Sequence, residues 1–383
     1  MGYTLPLRNR PGGYAGLDAQ GVLSLPAVRD MLPSAPWNWA PSSLALYLQW
    51  DALNRIGYST FQQTSMLQPS QTVTQNAYTS LSPGADPATT GTCVPNPKFF
   101  LNMGPAKADL SALSVQNTWQ NDGRRGGTAI TPCHIIGSWH FVHSVGTKLW
   151  FANSAGAMVR RTLTGRSQVA GSDIFVGLLD QDLPAGFTFA KVLPPNWSAW
   201  LPSPWFTVYR RNMYNQFCIA EAAFCGIQGS IGDTYQTLDN AATFPNQPVD
   251  PEDIGGPYRN IASAYAFDTT PYLICRTPRL HPALAPWNIT VFGYDSSGAV
   301  FFLLNNRPVI LATIHDTGDV WSSGSNAIFN FNAQINAALA AMGNAPGDNP
   351  PPGQADPATD EAGHYQLTEL NPATDLAGFT TYT

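Results

Sequence analysis

Three side chains of the kinds needed for nucleophilic catalysis occur in three separate stretches of this 383-residue chain. They are the imidazole of His140, the carboxylate of Asp173 and the hydroxyl of Ser296. An imidazole beside a hydroxyl removes its proton, and a carboxylate orients the imidazole and stabilises its charged form. Such a set would attack a carbonyl carbon and form an acyl-enzyme, provided that the fold brings the three stretches together.

The predicted strands and turns around these residues could hold the three side chains in fixed positions. His140 follows the apolar stretch 128–136 through the short step Gly137-Ser138-Trp139, which predicts a rigid and reachable ring at a strand end. Asp173 precedes the predicted buried strand 174–179. Ser296 lies in the small-residue turn 293–298, whose backbone N–H groups would stabilise an oxyanion.

Each residue also has a purely structural explanation. A lone histidine at a strand end is usually a hydrogen-bonded core or surface residue, a strand-initial aspartate often forms a turn, and Ser-Ser-Gly is an ordinary turn sequence. Ser297 leaves the nucleophile ambiguous between two adjacent hydroxyls, and Asp295 before Ser296 favours Ser296. The other nearby candidates are weaker: His143 as base, and Asp180 and Asp182 as carboxylates.

Taken in order, the three stretches resemble the trypsin-like (chymotrypsin-fold) serine peptidases. The sequence Gly-Gly-Thr-Ala-Ile-Thr-Pro-Cys-His-Ile-Ile-Gly-Ser-Trp-His140 is similar to the family's strand that ends in Ala-Ala-His-Cys. Ser-Asp173-Ile-Phe-Val-Gly-Leu-Leu is similar to Asn-Asp-Ile-Ala-Leu-Leu, and Tyr294-Asp-Ser-Ser-Gly-Ala-Val-Phe to Gly-Asp-Ser-Gly-Gly-Pro-Val-Phe. The resemblance covers about the middle two-thirds of the chain, in the family's order of His, Asp and Ser.

The resemblance implies specific roles. Ser296 would be the nucleophile, His140 the general base and acid, and Asp173 the residue that orients the imidazole. The backbone N–H groups of Tyr294 and Ser296 would form the oxyanion hole. Two departures bear on this assignment, because Tyr294 and Ser297 stand where the family has glycine.

The resemblance also implies a substrate pocket that contains Thr290 and His315. No carboxylate stands at the position that selects basic side chains in trypsin-type enzymes, so cleavage after Arg or Lys is not expected. A Thr–His pair resembles the pocket of glutamate-specific members, which predicts an acidic or polar P1 residue. The alternative is that His315 merely packs beneath the site.

Many short strands with little helix predict an all-β barrel or sandwich, with a C-terminal helix and irregular extensions at both ends. The resemblance implies that this fold is a double β-barrel of the chymotrypsin type. Short β-branched or aromatic runs bounded by Gly, Pro or Asn predict the strands. These strands are 128–136, 148–152, 174–179, 187–193, 206–209, 299–304 and 309–314, the last two forming a hairpin. Asn332 as the N-terminal cap, apolar residues at helical spacing after it, and Gly343 as the stop predict the helix.

The chain divides by composition into four segments. Residues 1–60 form an attachment segment with a short helix at 43–56, residues 61–92 a polar linker, residues 93–343 the peptidase domain, and residues 344–383 a flexible or partner-wrapped tail. The stretch Pro-Gly-Gly-Tyr-Ala-Gly-Leu-Asp-Ala-Gln-Gly-Val-Leu23 resembles beads of bacteriophage tail-fibre proteins. This resemblance implies virion or tail partners that contact residues 1–60 and 344–383, and favours a virion or extracellular location.

Composition excludes several other classes of protein. Charged residues make up 11% of the chain, against roughly 25% in an average domain, which argues against a disordered chain or a coiled coil. The net charge is −6 with no basic stripe, so no nucleic-acid partner is expected. No apolar run spans a bilayer, no signal peptide is visible, and no metal or cofactor signature is found. Five cysteines are too few and too scattered for a disulfide framework.

Three functional hypotheses follow. The first is a serine endopeptidase that hydrolyses a polypeptide substrate through an acyl-enzyme. The second is a catalytically inactive peptidase fold that serves as a structural or adhesion subunit of a virion. The third, ranked last, is a carbohydrate- or receptor-binding module that uses exposed aromatic residues.

Overall fold

A computed structural model gives the architecture of most of the central part of the chain. It describes the following residues: 44, 47–49, 51–53, 55–56, 75–82, 91–102, 107–117, 126–195, 206–212, 215–225, 272–276, 278, 282–288, 295–315, 322–345 and 357–375. The described part is mostly β-sheet, as the all-β prediction requires.

Six strands form a nearly closed barrel, which follows a small antiparallel pair, β1 (Tyr78–Ser82) and β2 (Thr92–Pro95). The barrel strands are β3 (Ser114–Asn117), β4 (Thr128–Ala129), β5 (His134–Ser138), β6 (Lys148–Ala152), β7 (Met158–Gln168) and β8 (Ile174–Leu179). Their order in the sheet is β3-β6-β7-β8-β5-β4. The two edge strands meet, because Ala129 N–H donates to the Ala112 carbonyl at 2.8 Å and Ser114 N–H to the Gly127 carbonyl at 2.9 Å.

Seven further strands form a second sheet. They are β9 (Lys191–Val192), β10 (Phe206–Arg211), β11 (Phe217–Cys225), β12 (Tyr272–Arg276), β13 (Ala299–Leu304), β14 (Arg307–Thr313) and β15 (Ser322–Asn326). Their order is β15-β12-β11-β10-β13-β14-β9. The predicted β13–β14 hairpin is confirmed. Its two-residue turn consists of Asn305 and Asn306, whose φ angles of 50° and 61° suit the type I′ turn that this connection favours.

The second sheet carries apolar residues on both faces. All six residues of β13 are buried. Phe301 and Leu303 belong to the large core that also fills the barrel, whereas Phe302 and Leu304 belong to a second cluster on the opposite face. Because successive strand residues point to opposite faces, a continuous apolar run is the pattern expected for a sheet covered on both sides.

The predicted C-terminal helix is confirmed, with one correction at its start. The helix is Asn332–Met342, and Gly343 ends it with φ of 69° and an N–H donated to the Leu339 carbonyl. The expectation that Asn332 caps the helix was wrong: its amide group instead donates to the Leu193 carbonyl and the Glu369 carboxylate.

The remaining elements are short. Within the described ranges, 3-10 turns lie at Trp139–Phe141, Pro282–Trp287 and Ile328–Phe331. After the Asn332–Met342 helix come β16 (Ala358–Thr359), which pairs with β17 (Tyr365–Gln366), and a short helix at Pro372–Asp375. Among the described residues, no helix is both long and apolar enough to cross a membrane.

Parts of both predicted extensions pack on the body of the protein. The described residues between positions 44 and 56 are helical, and Leu44 and Leu48 are buried in the second apolar cluster. In the segment predicted as a flexible or partner-wrapped tail, residues 357–375 lie against the two sheets, with Tyr365 and Leu367 buried. The apolar side chains in these segments explain why they fold back. The phage-like bead and most of the predicted linker lie outside the described residues, and the segment boundaries stay a prediction.

Candidate active site

The pairing of β5 with β8 places His140 opposite Asp173. The two strands are antiparallel, with Ser138 opposite Ile174 at their ends. Continuing this register by one residue sets Trp139 against Asp173, and Trp139 N–H donates to the Asp173 carbonyl at 2.7 Å. The chain then turns through the 3-10 turn Trp139–Phe141, which lifts the His140 ring off the sheet edge.

The Asp173 carboxylate holds both the backbone and the ring of His140. Oδ1 accepts the His140 backbone N–H at 2.8 Å, and Oδ2 accepts the ring Nδ1–H at 2.7 Å. Two contacts from one carboxylate fix the ring orientation and favour the tautomer whose Nε2 carries a lone pair. The two side chains are 38% and 20% exposed, so the imidazole is reachable from solvent.

Ser296 reaches the other nitrogen of the same ring from the second sheet. Its hydroxyl lies 2.9 Å from His140 Nε2 and 3.4 Å from the His315 carbonyl. Ser296 occupies a turn before β13, which is closed by Gly298 N–H donating to the Asp295 carbonyl at 2.9 Å. In this geometry Ser296 donates its proton to Nε2, while Nδ1–H donates to Asp173. The arrangement can therefore move a proton from the hydroxyl to the imidazole.

Ser297 has a different position from its neighbour. It adopts φ of 71°, a left-handed conformation that glycine adopts more readily, and is fully buried. Its hydroxyl oxygen accepts the Ser138 backbone N–H at 2.8 Å, and the Ser138 hydroxyl contacts Thr313 and the Ile314 carbonyl. Ser297 thus joins the Ser296 turn to the end of β5. The sequence indicated Ser297 as a rival nucleophile and as a residue at a family glycine position, but it did not predict this contact.

Close packing explains why glycine occupies positions 298 and 137 beside the Ser296 turn. A Cβ atom on Gly298 would lie 2.4 Å from the Arg211 carbonyl oxygen. A Cβ atom on Gly137 would lie 2.4 Å from the Phe175 ring and 3.0 Å from the Ser297 hydroxyl. Glycine at these two positions lets the Ser296 turn approach both sheets.

A buried charge lies beneath the turn. Asp295 and Arg211 are both buried, at 1% and 2% exposure. Burial lowers the pKa of Arg211 to about 10, and electrostatic interactions with Tyr78 and Asp295 oppose that change. An electrostatic attraction therefore acts between Arg211 of β10 and Asp295, the first residue of the turn.

His315 follows β14 and stands beside the same carboxylate. Its Nε2 is 3.6 Å from Asp173 Oδ2, and its ring meets the His140 ring edge-on with centroids 4.7 Å apart. The donor atoms of His140, Asp173 and His315 all lie within 4.8 Å of one another, which makes them a possible set of metal ligands.

Other predicted residues lie elsewhere or outside the described part. Thr290 and Tyr294 are not among the described residues, so the substrate pocket and the oxyanion hole stay predictions. His143 is buried and its Nε2 contacts the Gly126 carbonyl at 2.9 Å. Asp180 accepts the Thr162 N–H, and Asp182 accepts the Tyr365 hydroxyl. These three weaker candidates thus have structural partners of their own.

No protein-family model matches the chain, and no curated protein matches it either. A functional assignment therefore has to come from the geometry of the residues themselves.

Proposed function

We propose that this protein is a serine hydrolase that acts by acyl transfer, with Ser296 as nucleophile. The observation that carries the proposal is the continuous contact from Asp173 Oδ2 to His140 Nδ1 at 2.7 Å and from His140 Nε2 to the Ser296 hydroxyl at 2.9 Å. A nucleophile bonded to a base, with the base oriented by a third group, is the arrangement that activates a serine.

The reaction follows from the positions of the protons. As the Ser296 oxygen attacks a substrate carbonyl carbon, its proton passes to His140 Nε2, and the Asp173 carboxylate stabilises the resulting imidazolium. His140 then gives that proton to the leaving group as the acyl-enzyme forms. A water molecule repeats the sequence with His140 as base, which releases the acid and restores the serine.

We infer a peptide bond as the scissile bond from the resemblance to trypsin-like peptidases. The nearly closed barrel carries His140 and Asp173, the second sheet carries Ser296, and the site lies where the two sheets meet. This distribution is compatible with a double barrel, in which the seven-stranded sheet corresponds to the second barrel. The order of His, Asp and Ser along the chain supports the same assignment.

The test combines hydrolysis with active-site labelling. We expect the protein to cleave members of a peptide library and to react with a fluorophosphonate probe, and both activities to be lost in Ser296→Ala. Ser80→Ala is the matched control, since it removes an exposed hydroxyl from β1, and it should keep both activities.

Two results would separate the possibilities. Folded protein that neither reacts with the probe nor cleaves any peptide would reject the proposal and favour the inactive structural subunit. Labelling together with cleavage of simple esters, but of no peptide, would keep the acyl-transfer mechanism and reject the peptide substrate.

A further inference from the structure

His315 stands so close to Asp173 and His140 that the three side chains enclose one small volume. They come from three different places in the fold: the turn after β5, the position before β8, and the segment that follows β14. The Asp173 oxygen is 2.7 Å from His140 Nδ1 and 3.6 Å from His315 Nε2. The second distance is too long for a hydrogen bond, so an imidazole nitrogen faces the carboxylate across a gap.

The donor set has the chemistry of a transition-metal site. Two imidazole nitrogens and one carboxylate oxygen suit Zn²⁺ and similar ions, whereas Mg²⁺ and Ca²⁺ prefer oxygen ligands alone. Zinc–ligand bonds of about 2.0–2.2 Å place neighbouring donors of a tetrahedral site about 3.4 Å apart. The 3.6 Å separation already matches that spacing, and the 2.7 Å contact would need to lengthen by roughly 0.7 Å.

The three side chains can be reached from solvent. The side chains of His140 and His315 are each 38% exposed and that of Asp173 is 20% exposed. Partial exposure gives an ion a path from solvent and allows a water molecule to complete the tetrahedron.

We propose that His140, Asp173 and His315 form an inhibitory binding site for Zn²⁺ or a similar divalent transition-metal ion. The inhibitory part rests on the proposed function; the binding part does not. A metal ion on His140 Nδ1 requires the proton to leave that nitrogen, so the neutral ring then carries its proton on Nε2. Nε2 can no longer accept the Ser296 proton, and the ion also takes the carboxylate that would stabilise the imidazolium. Bound metal therefore stops acyl transfer at its first step.

The direct test is Zn²⁺ titration of chelator-treated, reduced protein by isothermal titration calorimetry, with folding monitored by circular dichroism. We expect one equivalent of tight binding in the intact protein, and a loss of affinity of about tenfold or more in His315→Ala and His315→Gln. His364→Ala is the matched control, because His364 forms a two-member pair with Asp360, Nδ1 to Oδ2 at 3.0 Å. This variant should bind Zn²⁺ as the intact protein does.

A second pair of measurements separates this site from the proposed function. Ser296→Ala keeps all three ligands and should bind Zn²⁺ with unchanged affinity, although it cannot react with a fluorophosphonate. In the intact protein, Zn²⁺ should suppress probe labelling, and a chelator should restore it. Binding that depends on His315 in a protein that never labels would support the metal site and reject the hydrolase. Strong labelling with no Zn²⁺ binding, or with binding that His315→Ala leaves unchanged, would overturn the metal site alone.

Discussion

The buried imidazole of His134 makes the stability of this protein depend on pH in a predictable way. His134 lies at the start of β5 and is fully buried. Its Nδ1 lies 2.8 Å from the Thr131 hydroxyl, and its Nε2 lies 2.9 Å from the carbonyl of Gly343, which ends the Asn332–Met342 helix. A neutral ring satisfies both contacts, with Nε2–H donating to the carbonyl and Nδ1 accepting the hydroxyl proton.

Burial lowers the pKa of His134 to about 4, and the hydrogen bond to the Gly343 carbonyl opposes that shift. In the unfolded chain the same group titrates near 6.5. Between these two values the unfolded chain binds more protons than the folded protein, so stability falls as the pH decreases from about 6.5 to about 4. A difference of about 2.5 pKa units lowers the free energy of unfolding by roughly 3 kcal/mol at the acid end of this pH range. Inside the range the loss is about 1.4 kcal/mol for each pH unit.

The assay is urea unfolding between pH 7.5 and pH 4, followed by tryptophan fluorescence, for the intact protein and for His134→Gln. Other carboxylates and histidines titrate in both proteins, so the difference between the two free energies of unfolding isolates the contribution of His134. We expect His134→Gln to be less stable than the intact protein at pH 7.5. Between pH 7.5 and pH 4, however, its free energy of unfolding should fall by about 2–3 kcal/mol less than that of the intact protein.

His364→Gln is the control for this comparison, since His364 is partly exposed and should leave the pH dependence caused by His134 in place. Equal slopes of stability against pH for the intact protein and His134→Gln would refute the argument. They would mean that His134 titrates in the folded protein at the same pH as in the unfolded chain, as an unburied ring would.

Three further predictions concern the residues around the site. Asp173→Asn should fold normally but react with a fluorophosphonate about 10³–10⁴-fold more slowly, because the imidazole loses its orienting carboxylate; a rate within a factor of ten would contradict this. Ser297→Ala should lower the free energy of unfolding by roughly 1–3 kcal/mol, since the buried Ser138 N–H loses its acceptor, and Ser297→Gly should be about 1 kcal/mol less harmful because glycine tolerates φ of 71°. Equal urea midpoints for the two variants would argue against strain at Ser297. Gly298→Ala should destabilise by about 2 kcal/mol or more, because its Cβ would lie 2.4 Å from the Arg211 carbonyl oxygen, and an unchanged melting temperature would show that the turn is less tightly packed.

Strands with continuous apolar runs could be predicted from the sequence. The predicted strands 148–152, 174–179 and 299–304 coincide with β6, β8 and β13. Each is bounded by residues that end strands, and each is buried on most positions, so the sequence pattern and the packing agree.

Other strands were missed because their sequences lack that pattern. Strand β7 (Met158–Gln168) contains three arginines and several hydroxyl residues, and its second half is largely exposed. Strand β15 (Ser322–Asn326) consists of small polar residues and is held by pairing with β12. For such strands, tertiary hydrogen bonding overrides the local preference, which sequence patterns cannot reveal.

The candidate site followed from residue types and order, but its cross-contacts did not. The sequence indicated His140, Asp173 and Ser296, because each stands beside a strand or tight turn that could fix it. The resemblance placed His315 near the site, but neither its approach to Asp173 nor the bond from Ser138 to Ser297 was predicted, since both contacts arise where the two sheets meet. Only the relative placement of the sheets determines these neighbours.

The most direct test of the central claim is to locate the fluorophosphonate adduct by tandem mass spectrometry after proteolysis of the labelled protein. We expect one adduct per chain, on Ser296, and at the same labelling time only a trace of it when Asp173 or His140 has been replaced. An adduct on Ser297 or on any other residue, or no adduct on the folded protein, would contradict it.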